Sequence, residues 1–163
     1  ILEENKFKVL EILKLVDYSI DELLFDEIED GIYKPYLKRV NSLNKFYFNR
    51  EGKGIKKMMN LLSSLLGIYQ GKTVIIDEID SSICGKTLIK IFKDIINSKD
   101  NINGQVIVTS HNIFLYNQKI FDPHQIFVVD KEANLSSRIT CLKDFKIKTE
   151  KIYLNYLKGK YEK

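Results

Sequence analysis

One short segment constrains the fold of this chain more than any other: Val74-Ile75-Ile76 is followed at once by Asp77 and Glu78. Such an apolar, β-branched run predicts a strand that is buried on both faces of a parallel sheet. Open α/β sheets bind ligands beyond the carboxyl ends of their strands, where these two carboxylates would emerge. The first can hold Mg²⁺, and the second can orient or deprotonate an attacking water. The segment therefore predicts an α/β fold with a hydrolytic site at one edge of its sheet.

A second predicted strand, Gln105–Thr109, is followed by Ser110 and His111. Because a helical pattern separates the two strands, they are expected to pair in parallel and to bring His111 beside Asp77 and Glu78. An imidazole there can sense or stabilise the terminal phosphate of a nucleotide. The structural alternatives stay open, since acids after a strand can cap a helix or be solvated, and a lone histidine is more often structural.

Glycines and lysines form a third candidate element. Gly52, Lys53 and Gly54 precede an amphipathic helix, and glycines at a helix start expose backbone N–H groups to an anion. Lys57 adds positive charge one turn later. The alternative is a plain turn with a basic first helical turn. Asp80 likewise has two possible roles: it can cap the next helix, or it can lie at a subunit boundary.

No phosphate-binding loop of the form GxxxxGK[ST] occurs in the chain. Gly71-Lys72-Thr73 leads into a strand, and Leu66 takes the place of the leading glycine. Gly85-Lys86-Thr87 does precede a helix, but Asp80 stands where the leading glycine belongs. Neither segment is expected to wrap a triphosphate.

The remaining pattern predicts a helix, an antiparallel meander, and then alternating strands and helices. Pro35 predicts that its strand is broken or lies at a sheet edge, and Gly71 is expected to end the long helix. The predicted helices are Lys6–Val16, Ile55–Tyr69, Thr87–Ile96 and Lys148–Lys158, and the predicted strands are Ile20–Phe25, Ile32–Val40, Asn44–Asn49, Thr73–Ile76, Gln105–Thr109, Gln125–Asp130 and Arg138–Leu142.

Composition limits the class of protein. With 163 residues, 44% of them hydrophobic and 29% charged, the chain suits one globular domain. No apolar run approaches the roughly 18 residues of a membrane span, so no membrane partner is expected. Cys84 and Cys141 form neither a disulfide framework nor a metal motif, which suits a cytoplasmic location. Because Ile1-Leu2 has no initiator methionine or signal pattern, we expect the chain to begin inside a longer polypeptide.

The order of these motifs resembles the C-terminal part of ABC-type AAA-family ATPases, in the group similar to OLD-like and SMC-like ATPases, many of which serve in bacterial anti-phage defence. Val74–Glu78 matches the Walker B strand of that family, Ile79–Ser82 its D-loop, and Thr109–Asn112 its switch-histidine segment. Gly52–Lys57 is similar to the signature that the family writes roughly as S-x-G-[TI]-K-K. Gly52 departs from this pattern, because it stands where the family has serine.

The resemblance implies the C-terminal lobe of a P-loop NTPase, namely an ABC-type ATPase head. Its sheet would be mainly parallel and flanked by helices, with an N-terminal helix and antiparallel strands before it. Residues 1–49 would lead into the head, and residues 50–163 would form the lobe. By position, Asp77 would support Mg²⁺, Glu78 would act as general base, and His111 would contact the γ-phosphate.

The same resemblance implies partners. Gly52, Lys53 and Gly54 would present amides to the ATP of the opposing protomer in a homodimer, and Asp80 would couple the two subunits. An N-terminal lobe with a Walker A loop, in the same polypeptide or a separate chain, would complete the site. The complete protein would hydrolyse ATP with Mg²⁺ and drive a nuclease or other effector, or act on DNA. The chain by itself would be inactive.

Two other function classes stay open on the residues alone. A non-catalytic interaction module is favoured by the missing phosphate loop and by Gly52, and disfavoured by the intact Asp77, Glu78 and His111. A metal-dependent nuclease ranks last, because a two-metal site would need more clustered carboxylates than the sequence shows.

Overall fold

The computed structural model of the chain describes residues 3–116, 120–145 and 152–160. The chain divides into two compact units, Ile1–His111 and Asn112–Lys163. The predicted boundary after residue 49 is placed by the order of the sequence motifs, whereas these units are defined by contacts within the fold. That boundary stays a prediction. The helices are Lys6–Lys14 (α1), Lys53–Tyr69 (α2), Gly85–Lys90 (α3) and Ile152–Leu157 (α4), and the strands are Ile20–Glu29 (β1), Ile32–Arg39 (β2), Phe46–Tyr47 (β3), Thr73–Ile76 (β4), Gln105–Val108 (β5), Phe127–Lys131 (β6) and Ser137–Cys141 (β7).

The first unit opens with α1 and an antiparallel sheet in the order β1-β2-β3, which confirms the predicted meander. The expectation that Pro35 breaks β2 or puts it at an edge is wrong, because β2 runs unbroken through the middle of the sheet. β3 pairs with only Tyr36 and Leu37 of β2. Pro35 therefore has a strand neighbour on one side alone, where a residue without an N–H is tolerated.

Helix α2 packs against α1 and β4 and buries one broad stripe of side chains. It ends as predicted, because Gly71 adopts a φ of 75°. The N–H groups of Gly71 and Lys72 donate to the carbonyls of Ile68 and Gly67 at 3.0 and 3.1 Å, which is the Schellman pattern. This sharp ending lets the chain enter β4 directly. The buried residues of α2 are Ile55, Met58, Leu61, Leu62, Leu65, Leu66, Gly67 and Ile68.

Strands β4 and β5 pair in parallel, which confirms the predicted βαβ unit. The connection runs through α3 and a π-helical stretch, Ile91–Ile96. One face of the pair is covered, and Ile76 is buried there. On the other face Ile75 is 76% exposed and its register partner Ile107 is 58% exposed. The expectation of a strand buried on both faces is therefore wrong, because no described element covers this second face.

The second unit contains the antiparallel hairpin β6–β7, and Val128 of β6 packs in a buried cluster with Leu142 and Phe145, which follow β7. The expectation of a mainly parallel sheet is wrong for the described residues, because β6 pairs with β7 in a separate sheet and parallel pairing is confined to β4 and β5. The terminal helix predicted for Lys148–Lys158 is represented by α4, while residues 146–151 lie outside the described residues. No helix in the described parts of the chain combines the length and apolar character needed to cross a membrane.

Candidate functional site

The register of β4 and β5 brings the acidic turn and the histidine segment to one edge of the sheet. Ile76 lies opposite Val108, so Asp77 and Thr109 are the first residues beyond the paired ends. The Thr109 N–H donates to the Ile76 carbonyl at 3.1 Å, and the Thr109 carbonyl accepts from the Ile79 N–H at 3.1 Å. These two bonds extend the ladder past the strands and fix the start of the acidic turn.

The Thr109 side chain bonds to both acidic residues. Its hydroxyl accepts a hydrogen bond from the Glu78 N–H at 2.8 Å and donates one to Asp77 Oδ1. Both acidic residues are exposed. The turn therefore presents two carboxylates to solvent from a backbone that the neighbouring strand holds in place. This contribution of Thr109 is not predictable from the sequence, because the register that puts it beside Asp77 cannot be read from a single strand.

Glu78 has a backbone φ of 46°, in the left-handed region. That conformation costs a residue with a Cβ roughly 1–2 kcal/mol, so surrounding contacts must hold it. Besides the bond to Thr109, the Glu78 carbonyl accepts from Lys57 Nζ at 3.0 Å and from the Ser81 N–H at 3.0 Å. Lys57 was expected only to add charge, and the structure instead places its ammonium group on the acidic turn.

Asp80 lies in the turn that follows the acidic pair, and its carbonyl accepts from the Ile83 N–H at 3.2 Å. The alternative that Asp80 caps the next helix is wrong, because Cys84 is the N-cap residue of α3 and no side chain caps it. Asp80 is half-buried, and its Oδ1 is enclosed with no hydrogen-bond partner among the described residues. Enclosing such an oxygen without a donor destabilises the fold.

The glycine segment begins α2 and lies against the same turn. Gly52 is the N-cap residue, and a Cβ there would meet nothing within 4 Å. Lys53 is exposed. A Cβ on Gly54 would lie 3.2 Å from Val16 Cγ1 and 3.4 Å from the Ser82 carbonyl oxygen. Glycine at position 54 therefore permits a close approach between the start of α2 and the turn after the acidic pair.

An ion-pair network holds the residue just before this segment. Arg39, at the end of β2, donates from Nη1 and Nη2 to the two oxygens of Glu51 at 2.9 and 2.8 Å, and from Nε to Asp17 Oδ2 at 2.9 Å. The Glu51 side chain is only 6% exposed. These hydrogen bonds, above all those that Glu51 accepts, hold the pKa of Arg39 well above its ordinary value. No sequence pattern predicts this network, because its members are far apart in the chain.

His111 is exposed and follows the last residue of β5 by three positions. It lies, with the acidic turn, beyond the carboxyl ends of two parallel strands and thus at the same edge of the sheet. The hydrogen bonds described for the acidic turn go to Thr109, Lys57 and Ser81 rather than to His111. The chemical roles of His111 and of both acids stay predictions.

Within the described residues, no group of three or more His, Cys, Asp or Glu side chains is placed to hold a metal ion. Mg²⁺ in nucleotide sites is commonly held by one or two carboxylates together with water and substrate phosphates. The exposed Asp77, with its Oδ1 oriented by Thr109, fits that mode. The nuclease alternative gains no support, because a two-metal site needs more ligands.

No family model and no curated protein matches this chain. A solved structure of an SMC ATPase, studied for ATP-driven dimerization and DNA-stimulated activation, is similar to it with a TM-score of 0.67. The similarity covers 99% of this chain and 94% of that chain, at 16% sequence identity. This α/β chain, with its antiparallel and parallel sheets, therefore shares the fold of an SMC ATPase.

Proposed function

We propose that this chain is the C-terminal lobe of an ABC-type ATPase head and supplies the hydrolytic residues of a Mg²⁺-dependent ATPase. The observation that carries the proposal is the edge shared by β4 and β5. There Asp77 and Glu78 are exposed on a turn that Thr109 holds, and His111 follows the neighbouring strand. The fold shared with an SMC ATPase supports the same assignment.

Each residue at this edge suits one role in phosphate cleavage. Asp77 would hold Mg²⁺, which when bound neutralises charge on the phosphates. Glu78, with an exposed carboxylate, would orient the attacking water and accept its proton. His111 would contact the γ-phosphate as charge develops on it. The complete protein, which we define as the assembly that also contains a phosphate loop, would thereby turn over ATP.

We assign the bare face of β4 and β5 to the lobe that carries the phosphate loop. Parallel strands are almost always covered on both faces, yet Ile75 and Ile107 are largely exposed. An apolar surface of this kind is typical of a protein contact. That lobe would be part of the same polypeptide or a separate chain, and without it this chain would not hold ATP tightly.

Two protomers would close head to head on ATP. The helix start at Gly52, Lys53 and Gly54 would supply amides to the nucleotide of the opposing protomer. Asp80, half-buried in the turn that follows the acidic pair, would lie at the contact between the protomers and couple them. The ATP-driven dimerization of the similar SMC ATPase supports this arrangement, and its DNA-stimulated activation supports DNA as a partner. An anti-phage setting with a nuclease or other effector rests on the sequence resemblance alone.

Glu78→Gln in the complete protein tests the proposal. Removing the general base should lower steady-state ATP turnover by about 10²–10⁴-fold, while ATP-dependent dimerisation, measured by light scattering, persists. Glu29→Gln, the same change at an exposed position of β1, is the matched control and should leave turnover unchanged. Normal turnover in Glu78→Gln would remove the general-base assignment.

A non-catalytic interaction module is the second candidate. The same bare face of β4 and β5 favours it, because an apolar surface can bind a partner that carries no nucleotide. Equilibrium ATP binding and steady-state ATP hydrolysis by the complete protein together separate the two functions. Binding without hydrolysis, or no binding at all, with partner association intact, would favour the module.

A further inference from the structure

The hydroxyl of Thr109 joins the two acidic residues of the proposed site. Because a backbone N–H can only donate, the Glu78 amide donates the hydrogen bond and Thr109 Oγ1 accepts it, at 2.8 Å. The single hydroxyl proton is then directed to Asp77 Oδ1. One oxygen atom therefore sets both the side-chain orientation of Asp77 and the backbone at Glu78.

The position of that hydroxyl is itself fixed. The Thr109 N–H and carbonyl are bonded to Ile76 and Ile79, on either side of the acidic pair, at 3.1 Å each. Threonine is branched at Cβ, which restricts its χ1 rotamers. Glu78 needs such support, since its φ of 46° is unfavourable for a residue with a Cβ.

We propose that Thr109 is a positioning residue for the hydrolytic pair, an inference that rests on the proposed ATPase function. Its hydroxyl engages Asp77 Oδ1 and so directs the remaining oxygen, Oδ2, outward for a cation. Its bond to the Glu78 amide holds the strained turn that aims the Glu78 carboxylate. Thr109 does not touch the reacting atoms, and it acts through these two residues.

The test compares Thr109→Val, which removes the hydroxyl at nearly constant shape, with Thr109→Ser, which keeps it. In the complete protein, Thr109→Val should lower kcat by about 10–100-fold and raise the Mg²⁺ concentration for half-maximal turnover by a similar factor. The KM for ATP should change by less than about threefold, because uniform substrate binding is not removed. Thr109→Ser should retain both properties to within about threefold of wild type.

A second readout does not depend on turnover. Hydrogen exchange at the Glu78 amide should become faster in Thr109→Val and stay slow in Thr109→Ser, because only the first loses the acceptor. Thr73→Val is the matched control. It makes the same change at the start of β4, at the opposite edge of the sheet from Thr109, where the hydroxyl contacts Gln105 at 3.5 Å. It should alter neither kcat nor exchange at Glu78.

The outcomes are distinguishable. Equal kcat, Mg²⁺ dependence and Glu78 exchange in Thr109→Val and Thr109→Ser would overturn the positioning role while leaving the ATPase proposal intact. A loss of kcat in Thr109→Val that is matched by Thr73→Val would also overturn it, since the effect would then be a general loss of the sheet. If the wild-type complete protein hydrolyses no ATP, the proposed function fails, and exchange at Glu78 still decides whether Thr109 holds the turn.

Discussion

The two sheets of the first unit are stabilised in different ways. The antiparallel sheet β1-β2-β3 buries Leu23 and Leu37 completely and also carries ion pairs, with Lys45 on Asp26 at 2.7 Å and Arg39 on Asp17 at 2.9 Å. The parallel pair β4–β5 carries the candidate site and leaves Ile75 and Ile107 largely exposed. The first sheet is antiparallel, so its exposed Ile28 and Ile32 need no cover, whereas a parallel pair with one open apolar face is unusual.

This difference explains where the function is expected to reside. An antiparallel sheet can leave one face in water, whereas a parallel pair with an open apolar face can be completed by another lobe. The acidic turn lies at the edge of the second sheet, so completing that sheet and assembling a nucleotide site would be one event. Lys57, whose ammonium group lies 3.0 Å from the Glu78 carbonyl, ties helix α2 to the same turn.

The largest expected effect on stability concerns the antiparallel sheet. Arg39→Met should lower the free energy of unfolding by about 3 kcal/mol, because it leaves the enclosed Glu51 carboxylate without a partner. Denaturant unfolding of the chain measures this. The matched control is Lys38→Met on the same strand, whose ion pair with Glu22 spans 3.8 Å at the surface. It should cost no more than about 0.5 kcal/mol. Equal losses in both variants would contradict the special role of the network.

The next effect concerns the open face. Ile75→Ser should change the unfolding free energy of the chain alone by less than about 0.5 kcal/mol, because Ile75 is exposed. With the phosphate-loop lobe supplied as a separate chain, the variant should weaken association by about 2 kcal/mol, or roughly 30-fold in Kd. Ile28→Ser, at a 57% exposed isoleucine of β1, is the control and should leave Kd unchanged. Unchanged binding by Ile75→Ser would show that the open face is not the contact.

The smallest effect concerns Gly52, in the turn between the two sheets. Gly52→Ser places a hydroxyl residue at the N-cap of α2, where a Cβ meets nothing within 4 Å. The free energy of unfolding should rise by a few tenths of a kcal/mol, about the N-cap advantage of serine over glycine. If this segment contacts ATP across a dimer, kcat/KM of the complete protein should rise as well. A gain in stability with no change in kcat/KM would mean that Gly52–Lys57 does not act as the signature segment of an ABC-type ATPase.

Local sequence patterns predicted those features of the fold that depend only on neighbouring residues. The spacing of apolar residues located α2, and Gly71 marked its end, because a helix period and a left-handed glycine are properties of a few adjacent residues. The same reasoning failed at Pro35, since the number of strand neighbours depends on how far β3 extends. It also failed for the burial of Ile75, which depends on what else covers the sheet.

The sequence by itself determined that an acidic pair and a histidine each follow a short apolar strand, because strand propensity and the order of residues are local. Tertiary structure alone decided that Thr109 bonds to both Asp77 and Glu78, that Glu78 adopts a left-handed backbone, and that Arg39 neutralises Glu51. Each of these depends on a strand register or on a contact between residues distant in the chain. Such contacts form only when packing selects one arrangement from many that the same local pattern allows.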